Sequence, residues 1–193
     1  MNYIEQALAG LAESPPADLE RATVVGADAG DLVAKVDSSR GPVWIAWSRT
    51  GITGLTPLFV DKTVDEFVDH HRRVAYEADV IPKLLKSEIE EALESGRSMG
   101  LSFDLRGLSS FQQSVLRTCA TISNGTVRPY GWIAEELHKP GATRAVGTAL
   151  AKNPIPFLIP CHRVVRSDGS VGSYAFGPEM KKELLLSEGA IAL

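Results

Sequence analysis

Alternation of apolar and polar positions dominates the first third of the chain. Residues 31–38 (DLVAKVDS), 42–49 (PVWIAWSR) and 51–60 (GITGLTPLFV) read as β-strands, the first two joined by the turn-forming SSRG. Their spacing predicts an antiparallel meander. Ahead of it, Tyr3 to Leu11 has a helical pattern broken by SPPAD. After it the period lengthens, and residues 63–76 (TVDEFVDHHRRVAY) and 80–96 (VIPKLLKSEIEEALESG) predict two amphipathic helices, the second ending at Gly96. This half reads as a small α+β unit with no visible chemistry. His70 and His71 fall on a charged helix and are expected to be surface residues.

The linker-like stretch SGRSMGLSFDLRGLSS marks a boundary near residue 100, giving one unit over 1–100 and a second over 103–193. Beyond it, SSFQQSVLRTCATI opens with a serine cap and sets Phe111, Val115, Cys119 and Ile122 on one helical face, so Cys119 reads as a packing residue. Then YGWIAEELHK, a PG turn and ATRAVGTALAK follow as two short helices in helix-turn-helix order. In the second of these, Ala142, Val146, Ala149 and Leu150 share the inner face, while Arg144, Thr148 and Ala151 share the outer one. That outer face is small with one cation, which lets a helix backbone approach a groove closely.

Composition narrows the class. With 193 residues, 44% hydrophobic and 23% charged, the chain fits an ordinary globular protein of one large or two small domains. No apolar stretch approaches the ~20 residues that cross a bilayer, and the acidic start lacks a signal-peptide pattern; a cytoplasmic protein is expected. The two cysteines and four histidines show no metal-ligand spacing, so neither a metal nor a structural zinc is expected, and a Cys119–Cys161 disulfide is disfavoured in a reducing cytosol. The net charge of −4 hides an asymmetry: residues 1–102 carry 10 Lys and Arg against 17 Asp and Glu, residues 103–193 carry 10 against 7. The second half is therefore positive, which points it towards a polyanion.

Residues 153–165 (NPIPFLIPCHRVV) hold the candidate chemistry. Pro154, Pro156 and Pro160 disfavour a helix and predict an extended, rigid path to Cys161. A cysteine reacts as thiolate and needs a proton acceptor, for which His162 is the nearest candidate. Neighbours on an extended chain point apart, so a relay through water is expected rather than a direct bond. Glu188 ends the last helical segment, PEMKKELLLSEG. A carboxylate there opposes the helix dipole and calls for a partner, which His162 would supply. The competing readings are a buried cysteine on a core strand and a solvated Glu188.

The run RAVGTALAKNPIPFLIPCHRVVRSDGSVGSY, with FQQSVL and YGWIA before it and KKELLLSEGA after it, closely resembles the O6-alkylguanine-DNA alkyltransferases. The resemblance is strong over residues 103–193; over the first half only the layout fits, resembling the family's ribonuclease-H-like domain. It implies direct, single-use repair: the damaged guanine is flipped out of the duplex, Cys161 takes the alkyl group irreversibly as a thioether, and no cofactor is needed. It further implies that Glu188, His162 and a water ionise Cys161, that Asn153 holds the turn around it, and that Tyr130 hydrogen-bonds guanine N3 and protonates the leaving purine. Arg144 would fill the gap in the base stack, with Ala142, Thr143, Thr148 and Ala151 against the minor groove of double-stranded DNA. Val164, Tyr174, Ala175 and Phe176 would form the pocket, with backbone groups at Cys161, Val164 and Ala175 reading the base. A monomer, associated with the nucleoid when on DNA, is expected.

Two positions depart from the family pattern. Phe176 stands where a small residue is usual and is expected to narrow the mouth and slow bulky groups, and Pro129 replaces the usual Ser or Thr before Tyr130. Two other classes compete: a catalytically silent alkyltransferase-like damage-binding or regulatory module, which would lack the reactive cysteine, and a Cys/His hydrolase, which needs an oxyanion site not evident here.

Overall fold

A computed structural model describes residues 17–98 and 100–192; the helix expected at Tyr3 to Leu11 lies outside them. The chain enters through α1 (Ala17–Gly26), which the strand pattern did not anticipate, and forms β1 (Gly30–Val36), β2 (Val43–Trp47) and β3 (Ile52–Pro57) as the expected antiparallel meander. All five residues of β2 are buried. Alternation sorts them between two layers. Trp44 and Ala46 join Val33 and Phe67 on one face, while Val43, Ile45 and Trp47 join Val36, Ile52 and Leu55 in the main core.

Residues 63–76 do not form the single helix that their spacing predicts. Helix α2 covers only Val64–His70, opened by a capping box between Thr63 and Glu66, and His71 is already extended. Residues Val74–Glu77 become β4, which pairs in parallel with β1 and completes a sheet of order β3-β2-β1-β4. The helical period of this stretch yields to strand pairing because β1 offers a free edge and Asp31 holds the connection. His71 Nε2 lies 2.7 Å from Asp31 Oδ2, and Arg73 reaches both Asp31 and Asp104 at 3.1 Å. His71 is thus buried against a buried carboxylate rather than at the surface; His70 is exposed and hydrogen-bonds Asp61.

Helix α3 (Lys83–Ser95) packs Ile89, Ala92 and Leu93 into the core and ends at Gly96 in the left-handed region, φ 65°. A Cβ at Gly96 would sit 2.7 Å from Asn124 and 2.8 Å from Arg163, so glycine is required twice over. The second half supplies α4 (Ser110–Ala120), α5 (Tyr130–Glu136), α6 (Thr143–Ala151) and α7 (Pro178–Ser187). Val115, Cys119 and Ile122 are buried as the spacing predicts, and Cys119 is a packing residue whose thiol is pushed well up by burial. Two two-residue strands, β5 (Arg128–Pro129) and β6 (Val164–Val165), pair in parallel and tie the entry of α5 to the chain just after Cys161.

The two halves share one apolar core, and polar contacts stitch its rim. Leu55 N–H on the edge strand β3 donates to Pro154 O at 2.8 Å, and Ser98 Oγ donates to Leu158 O. Arg163, 2% exposed, gathers three elements: Nη1 donates to Ile122 O and Nη2 to Gly96 O, both at 2.7 Å, while Nε donates to Glu188 Oε2 at 2.8 Å. Removing one member of a buried ion pair strands the other charge. Arg163→Met is therefore expected to destabilise the fold by about 3–5 kcal/mol, read as a shifted midpoint in urea unfolding.

Candidate active site

Three features of residues 153–163 put Cys161 at the end of a compact turn instead of the extended path expected. Phe157 takes a left-handed φ of 68°, Ile159 N–H returns to Ile155 O at 2.9 Å, and Cys161–Arg163 form a single turn of 3-10 helix. The prolines do exclude an α-helix, but their fixed φ values serve a tight turn whose side chains are buried. Asn153 is its internal brace. Its Oδ1 accepts from Ile155 N–H at 3.0 Å, and its Nδ2 donates to Ile159 O at 2.9 Å and to Cys161 Sγ at 3.2 Å.

The histidine and carboxylate meet as expected. His162, 1% exposed, lies with Nε2 3.0 Å from Glu188 Oε1, and Arg163 Nη2 donates to the same oxygen at 2.9 Å. A carboxylate acceptor fixes Nε2 as the protonated nitrogen and leaves the lone pair on Nδ1, which is buried with no protein partner. No hydrogen bond joins the Cys161 thiol to the His162 imidazole. The hydroxyl of Tyr174, whose ring stands edge-on to His162 at 6.3 Å, is likewise buried and unpartnered.

The charges explain the site's titration. Burial raises the Cys161 thiol, opposed by the hydrogen bond from Asn153 and the nearby Lys181 cation. Burial also lowers His162, partly offset by Glu188. For Glu188 burial acts upwards, but the hydrogen bonds from His162 and Arg163 outweigh it and hold the carboxyl down at about 2. Arg40 of the first half adds a second guanidinium, 3.7 Å from Glu188 Oε1.

Cys161 opens onto a cavity of about 560 Å³. Tyr130, Tyr174, Ala175 and Arg166 form its sides, and the outer face of α6 supplies Thr143, Arg144, Thr148 and Ala151. Tyr130 begins α5; burial and the neighbouring Cys161 raise its phenol, so it stays protonated at neutral pH. Two expected pocket residues, Val164 and Phe176, do not line this space. Ala142, expected towards DNA, is half-buried in the turn before α6. Val164 is wholly buried behind the cysteine, and its carbonyl accepts from Lys181 Nζ at 2.6 Å. Phe176 turns away from the mouth to pack against Tyr174, Phe157 and Phe59, because those rings offer it an apolar seat outside the cavity.

Lys181 is the residue that sequence reasoning missed. It is fully buried, 5.7 Å from the Tyr130 ring, and burial pushes its pKa down to about 8. The signal was its helical register with Leu184, Leu185 and Glu188, an inward face that a lysine joins only to reach a partner.

Comparison with known proteins fits this geometry. Residues 110–190 match the family described as 6-O-methylguanine DNA methyltransferase, DNA binding domain. The methylated-DNA–protein-cysteine methyltransferase of Shigella flexneri is 32% identical over 84% of this chain and 98% of its own length. The chain belongs to the methylated-DNA–protein-cysteine methyltransferase family. The Methanosarcina barkeri methyltransferase is 37% identical over 79% of this chain and 94% of its own. In three dimensions, the Mycobacterium tuberculosis protein OGT, solved in complex with DNA, superposes with a TM-score of 0.66 at 31% identity, covering 83% of this chain and 93% of that one. The O6-methylguanine-DNA methyltransferase of the hyperthermophilic archaeon Pyrococcus kodakaraensis gives 0.61 at 30% identity over 82% and 99%. Both similarities span the two halves of this methyltransferase, so its mixed α/β architecture is the family's.

Two outcomes are expected from the charges. A carboxylate with a folded-state pKa below its unfolded value stabilises the fold above the unfolded value, and that support is lost as pH falls towards the folded one. Glu188 should therefore lose its contribution between about 4.5 and about 2, and melting temperatures over that range should fall less steeply for Glu188→Gln. Lys181→Met, which removes the cation but keeps the bulk, should shift the pH dependence of Cys161 alkylation by iodoacetamide to higher pH.

Proposed function

We propose that this protein repairs DNA directly by moving the alkyl group from O6 of a flipped-out guanine to Cys161, once per molecule. The observation that carries the reading is that one cavity is lined both by the cysteine and by the outer face of α6, with Arg144 at its edge. A buried thiol in a pocket with room for a base cannot reach an O6 substituent inside a stacked duplex, so the base must come to it. Double-stranded DNA is the partner. Arg144 fills the vacated place in the stack, and the exposed Thr143, Thr148 and Ala151 let α6 approach the minor groove closely. Residues 103–193 do this work with residues 1–100 as support, and a monomer suffices. No cofactor or metal enters the reaction. The reading places the protein in the cytoplasm, on the nucleoid while it scans.

The chemistry follows from the residues present. His162 Nδ1 takes the thiol proton through a water, whose seat is supported by the two unpartnered polar atoms, Nδ1 and the Tyr174 hydroxyl. Asn153 Nδ2 and the Lys181 cation stabilise the thiolate. Sulfur attacks the alkyl carbon in line, the carbon–oxygen bond breaks, and its electron pair stays on the purine. The protonated Tyr130 phenol donates to N3 of that base as charge develops, lowering the barrier as a general acid. The product thioether has no route back to thiolate, so turnover ends there.

Intact mass after mixing with a duplex bearing one O6-methylguanine tests this. One methyl should replace one hydrogen at Cys161, stoichiometrically, and Cys161→Ser should show no change. Tight lesion binding with no mass gain in the native protein would establish the silent damage-binding module instead.

A further inference from the structure

The cavity wall formed by Tyr174 and Ala175 runs on into Phe176, whose ring faces the opposite way. Its centroid lies 5.4 Å from Tyr174 at an interplanar angle of 89°, 5.8 Å from Phe157 and 5.6 Å from Phe59 at 81°. The first two neighbours belong to the same half of the chain. Phe59 comes from the other half, on the turn after β3.

These two partners differ in how firmly they are held. Leu58 N–H donates to Pro42 O at 3.0 Å, Val60 N–H donates to Pro57 O at 2.9 Å, and Trp44 Nε1 donates to Asp61 O at 3.0 Å. The backbone at Phe59 is therefore fixed although the residue is 56% exposed, and Phe176 is its aromatic contact among the described residues. An aromatic residue this exposed gains little from its own burial. The segment carrying Phe176 has weaker ties. Residues 166–177 form no helix or strand, Gly172 and Gly177 both have positive φ, and the Tyr174 hydroxyl has no partner. Residues 166–170 close a local turn on themselves, while the course of 171–177 is set by a Gly177 N–H bond to Tyr174 O, two long bonds, from Lys181 N–H to Gly177 O at 3.3 Å and from Lys181 Nζ to Ser173 O at 3.4 Å, and the ring contacts of Tyr174 and Phe176.

We infer that Phe59 is a positioning residue for substrate size: it seats Phe176 outside the cavity and so keeps the Tyr174–Ala175 wall open to alkyl groups larger than methyl. The inference rests on the proposed function, since it assumes that the cavity receives the alkylated base. Without Phe59, the Phe176 ring loses its outer edge-to-face partner, and the apolar mouth of the cavity, one residue away at Ala175, becomes the competing place to bury it. A ring there obstructs a benzyl group far more than a methyl group. The first half of the chain, which contributes no residue to the cavity lining, would thereby set the range of lesions accepted.

Single-turnover transfer rates from O6-benzylguanine and O6-methylguanine in the same duplex test this in the wild type, Phe59→Ala, Phe59→Tyr, Phe176→Ala and the Phe59→Ala/Phe176→Ala double variant. Losing one aromatic pair should lower the benzyl-to-methyl ratio about five-fold in Phe59→Ala, with the methyl rate little changed. Phe59→Tyr should keep the wild-type ratio, and removing Phe59 should have no effect once Phe176 is alanine. An unchanged ratio in Phe59→Ala, an equal fall of both rates, or the same fall without Phe176 would overturn the inference and leave the proposed function standing. A wild-type protein that transfers neither group would sink the proposed function, and this inference with it.

Discussion

Glu188 is the group on which the rest depends. A carboxylate almost out of reach of water must be paired, and here Arg163 binds both of its oxygens while His162 takes one. That one requirement fixes three things. It pins the end of α7 to the Cys161 turn, it draws in the carbonyls that close α3 and follow α4 through Arg163, and it chooses the histidine tautomer that leaves Nδ1 free to accept a proton. Stability and reactivity are thus two consequences of the same buried ion cluster.

Around it, the thiol sits between opposing forces. Burial keeps Cys161 protonated and protected, while the Asn153 amide, the Lys181 cation and nearby backbone N–H groups favour its ionised form. Under the proposed reaction a single-use protein gains from that balance: a freely ionised cysteine would be spent on any small electrophile, whereas one held protonated by burial is kept for a substrate seated in the cavity. Lys181 also donates to the Val164 carbonyl, so that buried acceptor is satisfied.

The first half of the chain has no reactive group in the cavity, yet it touches the site at several points. Strand β3 holds Pro154, Arg40 approaches Glu188, and Phe59 backs Phe176. Two of these contacts brace irregular segments, around Pro154 and Phe176, and the third meets the end of α7. A rigid sheet is a suitable scaffold for this, because β2 is buried on both faces and its neighbours share the two layers of core.

By itself the sequence determined what local chemistry and short-range period can determine. The meander, the buried face of α4, the two faces of α6 and the grouping of Cys161, His162 and Glu188 all follow from spacing, capping and motif. The tertiary structure decided the rest, because those features depend on partners far along the chain. Residues 74–77 are a strand because β1 had an open edge, and His71 is buried because Asp31 lies beneath it. The prolines before Cys161 make a turn because Asn153 and β3 close it. Phe176 faces outward because three rings await it there, one of them more than a hundred residues earlier in the chain. Period and motif report which side of an element is apolar; only the packed chain reports what lies opposite.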